Sequence, residues 1–382
     1  MESKVKNINY LLQLHEACFQ NNVPFVSYRI PGKTITRTLL QTNSYPRRLD
    51  SLKELNNSSG FVITPFFSKV HNASFILEPD VLIENNEVDP DLIKRLKKIS
   101  LFNAVEYLNG KGIHVASENE FIDQVNTIKE NIRNGMIRKA VLSRIHTEPK
   151  KADFSITQLF NELCDKYPNA FVYLFQIPNA GCWVGATPEP LVLAFGDTIE
   201  TISLAATQRI DNKPVGQITW KTKELEEQHI VTEFIEKVLT DFNVVKYEKT
   251  GPFTQVAGNI VHLKTRFVFE NHYLNSRMGE FIEALHPTPS ICGLPKDKAF
   301  GLLEKIEPHH REYYTGLLGP VNMNNSTSLY VNLRCMKVLE NRFALYLGAG
   351  ITSGSVPESE WEETNQKKMT LLSVIEKLNK AL

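Results

Sequence analysis

The stretch from Leu345 to Lys368, LYLGAGITSGSVPESEWEETNQKK, constrains the chain more than any other. Alternation at Phe343, Leu345 and Leu347 predicts a strand, which the small residues Gly348-Ala349-Gly350 are expected to break. Turn residues Ser353-Gly354-Ser355 and Pro357 then lead into an acidic helix start, Glu358-Ser359-Glu360-Trp361-Glu362-Glu363. Consecutive small residues let a ligand approach backbone N–H groups, which suits an anion such as a carboxylate. Glu363 and Lys367 lie four apart on one helix face. By itself such a pair reads as an exposed stabilising contact. Beside a small-residue turn it reads differently: a carboxylate for a hard cation stands next to an ammonium for an anion. The run is not a dinucleotide fingerprint, because Ser353 stands where the third glycine belongs.

The rest of the chain sets bounds. A length of 382 residues calls for two domains or one large mixed domain. Forty-three acidic residues balance forty-three Lys plus Arg, so no nucleic-acid or anionic-membrane partner is expected. The five cysteines, Cys18, Cys164, Cys182, Cys292 and Cys335, are dispersed without CxxC spacing. This argues for reduced thiols and a cytoplasmic setting, and against a zinc site. The N-terminal MESKVKNINYLLQLHEA reads as an amphipathic helix, not a secretion signal. No apolar run approaches the ~18 residues of a membrane span.

Several positions along the chain carry chemistry. Arg138–His146 reads as a strand with apolar residues on both faces, so it is expected to be covered on both sides. A lysine enclosed in it, Lys139, is a candidate general base, because desolvation disfavours an ammonium; the alternative is a lysine at a strand end reaching solvent. Glu189, between Pro188 and Pro190, is held extended and well aimed, or is an ordinary acidic turn residue. Ala205-Ala206-Thr207 offers backbone donors and a hydroxyl. Thr222–Asp241 reads as a long helix whose Glu224, Glu227 and Glu233 line faces away from the apolar stripe, as on a solvated surface. Strands are expected over Tyr247–Phe253, Gly258–Phe269, Glu312–Gly316 and Ser328–Val338, and a helix over Leu274–Leu285. Arg334, inside the apolar run Leu329–Met336, needs an anion if buried: a ligand or an internal salt bridge.

The motifs KAVLSR (Lys139–Arg144), GATPE (Gly185–Glu189), LAAT (Leu204–Thr207), KELEEQHIV (Lys223–Val231), LHPTPSICGLP (Leu285–Pro295), EYYTGLLG (Glu312–Gly319), RCMKV (Arg334–Val338) and GAGITSGSVPESEWEETNQK (Gly348–Lys367) resemble, in this order, the chorismate-utilising enzymes. These include isochorismate, salicylate, anthranilate and aminodeoxychorismate synthases. The resemblance runs from about residue 115 to 380. It implies an α+β fold: one large chorismate-binding domain of antiparallel sheets packed as a sandwich and flanked by helices. Residues 1–115 are then a divergent N-terminal part of that fold and 116–382 the catalytic region. It further implies Mg²⁺ held by Glu227 and Glu363. Arg334, Lys367 and the backbone at Gly348 would grip substrate carboxylates, with Ala206 and Thr207 forming a turn near the ring carboxylate.

Within the family, Lys139 matches the base and Glu189 the acid for adding water at C2 of chorismate as the C4 hydroxyl leaves. Ammonia-using members typically lack that lysine, and aminodeoxychorismate synthases carry a nucleophilic lysine where this chain has Ala205. His286, in HPTPS, fits the isochorismate and salicylate branch. Two positions depart from the pattern: Ala206 replaces the usual glycine, and Ser290 an alanine frequent in isochorismate synthases. The reading is a reversible, Mg²⁺-dependent isochorismate synthase, an isomerase acting alone as a cytoplasmic monomer without a glutaminase subunit. A salicylate synthase and a catalytically inactive chorismate-binding subunit are the alternatives. Whether the product serves menaquinone or siderophore biosynthesis is open at this level.

Overall fold

The computed structural model describes residues 2–66, 73–99, 113–210, 214–257 and 260–381. Runs of β-branched and aromatic residues form two nine-stranded sheets in which the strands pair antiparallel. In the first sheet the strands lie in the order Gly293–Leu294, Lys139–Pro149, Arg342–Ile351, Cys335–Val338, Gly181–Thr187, Phe171–Ile177, Phe25–Arg29, Thr36–Leu40 and Val81–Glu84. In the second the order is Glu248–Ala257, Ile260–Glu270, Thr198–Arg209, Pro190–Phe195, Ser326–Val331, Leu317–Val321, Gly60–Thr64, Ser74–Leu77 and Arg47–Leu49. Strands from the first hundred residues therefore extend both sheets, Phe25–Arg29 beside Phe171–Ile177 and Gly60–Thr64 beside Leu317–Val321.

The sheets face each other across a core rich in aromatic rings. Tyr28, Phe171, Tyr173, Trp183 and Tyr346 from one meet Phe61 and Tyr330 from the other; Phe171 and Tyr330 stack with centroids 4.2 Å apart. Helices cover the outer faces. Ile156–Lys166 and Pro357–Ala381 pack on the first sheet, Thr222–Asp241 and Met278–Leu285 on the second. This is the helix-flanked antiparallel sandwich that the motifs imply. None of the described helices is long and apolar enough to cross a membrane.

Four local readings are corrected. Gly348-Ala349-Gly350 does not end its strand: the ladder runs on to Ile351, paired with Ala140. Small side chains here make room and do not break the strand. Glu312–Gly316 is a tight turn, because Glu312 (φ 49°) and Thr315 (φ 60°) take left-handed backbone. Ser328–Val338 is two strands, not one. Ser326–Val331 belongs to the second sheet and Cys335–Val338 to the first; the chain crosses between them at Asn332–Arg334, with Arg334 at φ 48°. Finally, the helix expected from Leu274 starts at Met278, after a 3₁₀ turn over Asn271–Leu274.

Candidate active site

The crossing at Arg334 opens a cleft between the edges of the two sheets. It holds about 580 Å³ of empty space when the open mouth is included. Lys139, Glu189, Glu227, Ser290, Arg334, Gly348, Glu363 and Lys367 all converge on it or on its lining groups.

Lys139 is the first residue of its strand and fully buried, so it does not reach for solvent. Its Nζ lies 2.9 Å from Glu227 Oε1, on the helix Thr222–Asp241, yet makes no directed hydrogen bond among the described residues. Gly350 permits this contact. A Cβ there would stand 2.5 Å from Glu227 Oε1 and 3.3 Å from Lys139 Cε. Gly350→Ala is therefore expected to push Glu227 off Lys139 and lower kcat at least tenfold, while the melting temperature falls by only a few degrees. Activity kept at the wild-type level would show that the Lys139–Glu227 contact is dispensable.

Glu189 sits in the extended link between Pro188 and Pro190, and its carbonyl accepts from Val331 N at 2.9 Å. Ser290 Oγ donates to its Oε1 at 2.8 Å. Burial pushes this carboxyl up to about 7; the Ser290 hydrogen bond and the charges of Lys139, Arg334 and Lys367 pull it back only in part. A carboxyl poised near neutrality can donate a proton at physiological pH.

Lys367 donates to Gly348 O at 2.8 Å and meets Glu363 at 2.5 Å. Burial alone would push Glu363 up. The Lys367 ammonium, with Lys223 and Arg334 behind it, outweighs burial and holds the carboxyl below its usual value. Gly348 leaves space for the Tyr314 hydroxyl, which a Cβ would approach to 2.6 Å. The Arg334 guanidinium makes no hydrogen bond among the described residues; burial lowers its pKa, and Tyr314, Glu363 and Glu189 partly restore it. Its charge faces the carboxylates of Glu189 and Glu363 in the cleft lining.

Ala206 lies at φ 59° in a bulge between Ala205 and Gln208, which accounts physically for a preference for glycine. Its carbonyl meets His262 Nδ1 at 2.8 Å, and burial takes that imidazole down to about 3, so it is neutral. The side chain of Thr207 lies outside the described residues. His286 is not brought to the cleft: it is buried behind it, its carbonyl held by Lys296 Nζ at 2.6 Å. His262, Tyr314 and Thr315 also line the cleft; Tyr314 and Thr315 belong to the EYYTGLLG motif, which assigns them no role, and His262, in a strand outside every motif, carries no signal in the sequence.

The profile of the chorismate binding enzymes matches residues 33–376. The chain belongs to this family. It is 28% identical over 246 residues to isochorismate synthase EntC of Escherichia coli (strain K12), covering 62% of each chain, so it spans less than two thirds of that relative's length. It is 27% identical over 278 residues to anthranilate synthase component 1 of Bacillus pumilus, covering 69% of this chain and 53% of that one. The structure of MenF, the menaquinone-specific isochorismate synthase of Escherichia coli, superposes with a TM-score of 0.74 at 20% identity, covering 95% of this chain and 90% of that one, and shares the fold.

The donor set in the cleft is of a kind that fits a divalent cation. Glu227 and Glu363 present carboxylates, and Oε2 of both Glu224 and Glu360 is buried without a hydrogen-bond partner. The cradle at Gly350 makes room for Glu227 Oε1, which faces Lys139. Among the described residues no group of three or more Cys, His, Asp or Glu is placed to hold a metal ion by itself. Two carboxylates are oxygen donors of the kind Mg²⁺ prefers.

Proposed function

We propose that the protein is an isochorismate synthase that converts chorismate reversibly to isochorismate. The observation that carries this reading is a fully buried lysine packed against Glu227 and Gly350 of the cleft lining, which also holds a carboxyl pushed up to about 7; the lysine is assigned to take a proton and the carboxyl to give one. In the forward direction Lys139 Nζ takes a proton from water as the water oxygen bonds to ring C2. Glu189 gives its proton to the C4 oxygen, whose bond to carbon breaks as the ring double bonds shift, and water departs. Arg334 and Lys367 supply cations for the substrate carboxylates and orient the ring between the two proton-transfer groups. Glu227 and Glu363 would hold Mg²⁺, which when bound supplies Lewis-acid charge neutralisation at a substrate carboxylate.

Glu363→Gln removes one charge from that pair without changing its shape. The Mg²⁺ concentration for half-maximal activity is expected to rise by roughly tenfold or more. An unchanged metal response would place the metal elsewhere. The functional reading itself is tested by incubating the protein with chorismate and Mg²⁺, with and without ammonia, and separating the products. Isochorismate under both conditions supports it; ammonia-dependent aminated product, or salicylate with pyruvate, assigns another reaction in the family.

A further inference from the structure

Away from the reacting groups, a second buried ion pair ties the cleft together. Glu307 and Arg311 are almost fully enclosed, with 6% and 3% of their side chains exposed. Arg311 Nη2 meets Glu307 Oε1 at 2.5 Å, and its Nε meets Oε2 at 2.8 Å. A buried pair of this kind is no argument for stability, since an apolar pair of similar volume is often as stable. Its contacts suggest another use.

The guanidinium reaches three walls of the cleft. Nη2 donates to Val141 O, two residues along the strand from Lys139. Nη1 donates at 2.8 Å to Ile291 O, adjacent to Ser290, whose hydroxyl holds Glu189. Nη1 also lies 3.4 Å from Thr315 Oγ1, beside Tyr314. Glu307 Oε1 in turn accepts from Ser143 N at 2.8 Å and Ser143 Oγ at 2.9 Å, holding the same edge of the strand two residues further along. His309 Nε2 meets Ser143 Oγ at 2.9 Å. Phe66 stacks under the guanidinium at 4.3 Å and excludes water. The planar fork of arginine can satisfy two carbonyls and a carboxylate at fixed angles; an ammonium cannot.

We propose that Glu307 and Arg311 are positioning residues that set the spacing between the Lys139 strand and the Ser290–Glu189 acid. The inference rests on the proton-transfer roles assigned above. Titratable groups facing the acid from the surrounding elements are Lys139, Arg334 and Lys367; those facing the pair are His309, Tyr314 and Cys292.

The test compares wild type with Arg311→Lys and Glu307→Gln. Arg311→Lys should cut kcat by about 10²-fold with KM for chorismate changed less than about threefold, because misplacement of an ångström costs chemistry before binding. Loosening Ser290 from Glu189 should also move the alkaline limb of kcat/KM to higher pH. Difference infrared titration of the Glu189 carboxyl, assigned by its loss in Glu189→Gln, should show the same upward move without any turnover. Glu307→Gln, which keeps the shape, should show the same pattern in smaller measure. Variants that lose thermal stability yet keep the wild-type kcat, pH profile and carboxyl titration would overturn the proposal and leave a structural pair. Wild-type product formation tests the functional reading separately. If the product is a different one, the kcat ratio is read on that product.

Discussion

Lys139→Ala is expected to lower kcat by about 10³-fold while chorismate still binds within a few-fold of wild type. The lysine is enclosed, its carbon chain is packed beside Gly350, and its Nζ lies against Glu227 of the cleft lining. Removing it takes away the nitrogen to which proton acceptance from water is assigned. The carboxylates of the substrate keep Arg334 and Lys367. Truncation leaves Glu227 without its cation, but the Glu227 side chain retains 14% exposure, so water can reach it and the stability loss should be at the small end of the range for broken ion pairs. Steady-state kinetics and chorismate titration of the variant check this. Loss of binding in step with kcat would make Lys139 a substrate ligand instead of a base.

The second large effect is at Glu189. Its carboxyl titrates at about 7, so the protonated form needed for donation is the main species below that pH and is lost above it. The kcat/KM of wild type should fall on the alkaline side with an apparent pKa near 7. Glu189→Gln keeps the oxygen that accepts from Ser290 but has no proton to transfer. Its kcat should fall by roughly 10²–10³-fold and that limb should vanish from the profile. A variant that retains the limb would assign the titration to another group.

Much of the architecture was legible locally. The Thr222–Asp241 helix has the bounds its pattern gives, and the proline-flanked Glu189 is extended as expected, since proline restricts its neighbour sterically. What escaped was set by long-range contacts or by backbone that the sequence does not announce. Leu329–Met336 reads as one apolar run, yet the chain changes sheets inside it at a left-handed Arg334, with no glycine or asparagine at that position to signal the bend. Gly348 and Gly350 look like a strand ending, and their reason appears only when Tyr314 and Glu227, distant in sequence, are seen against them. The short strands Thr36–Leu40, Arg47–Leu49 and Val81–Glu84 carry too few residues for alternation to show. His286 belongs to a recognisable motif, but it stands behind the cleft, not in it.

The most direct test of water activation by Lys139 across from Glu189 is isotopic. The protein would be incubated with chorismate and Mg²⁺ in H₂¹⁸O, and the isochorismate examined by chromatography and mass spectrometry before the reverse reaction has proceeded far. One ¹⁸O at C2, with formation abolished in Lys139→Ala, is the predicted result. Isochorismate that carries no label, its hydroxyl having migrated within the ring, would contradict it.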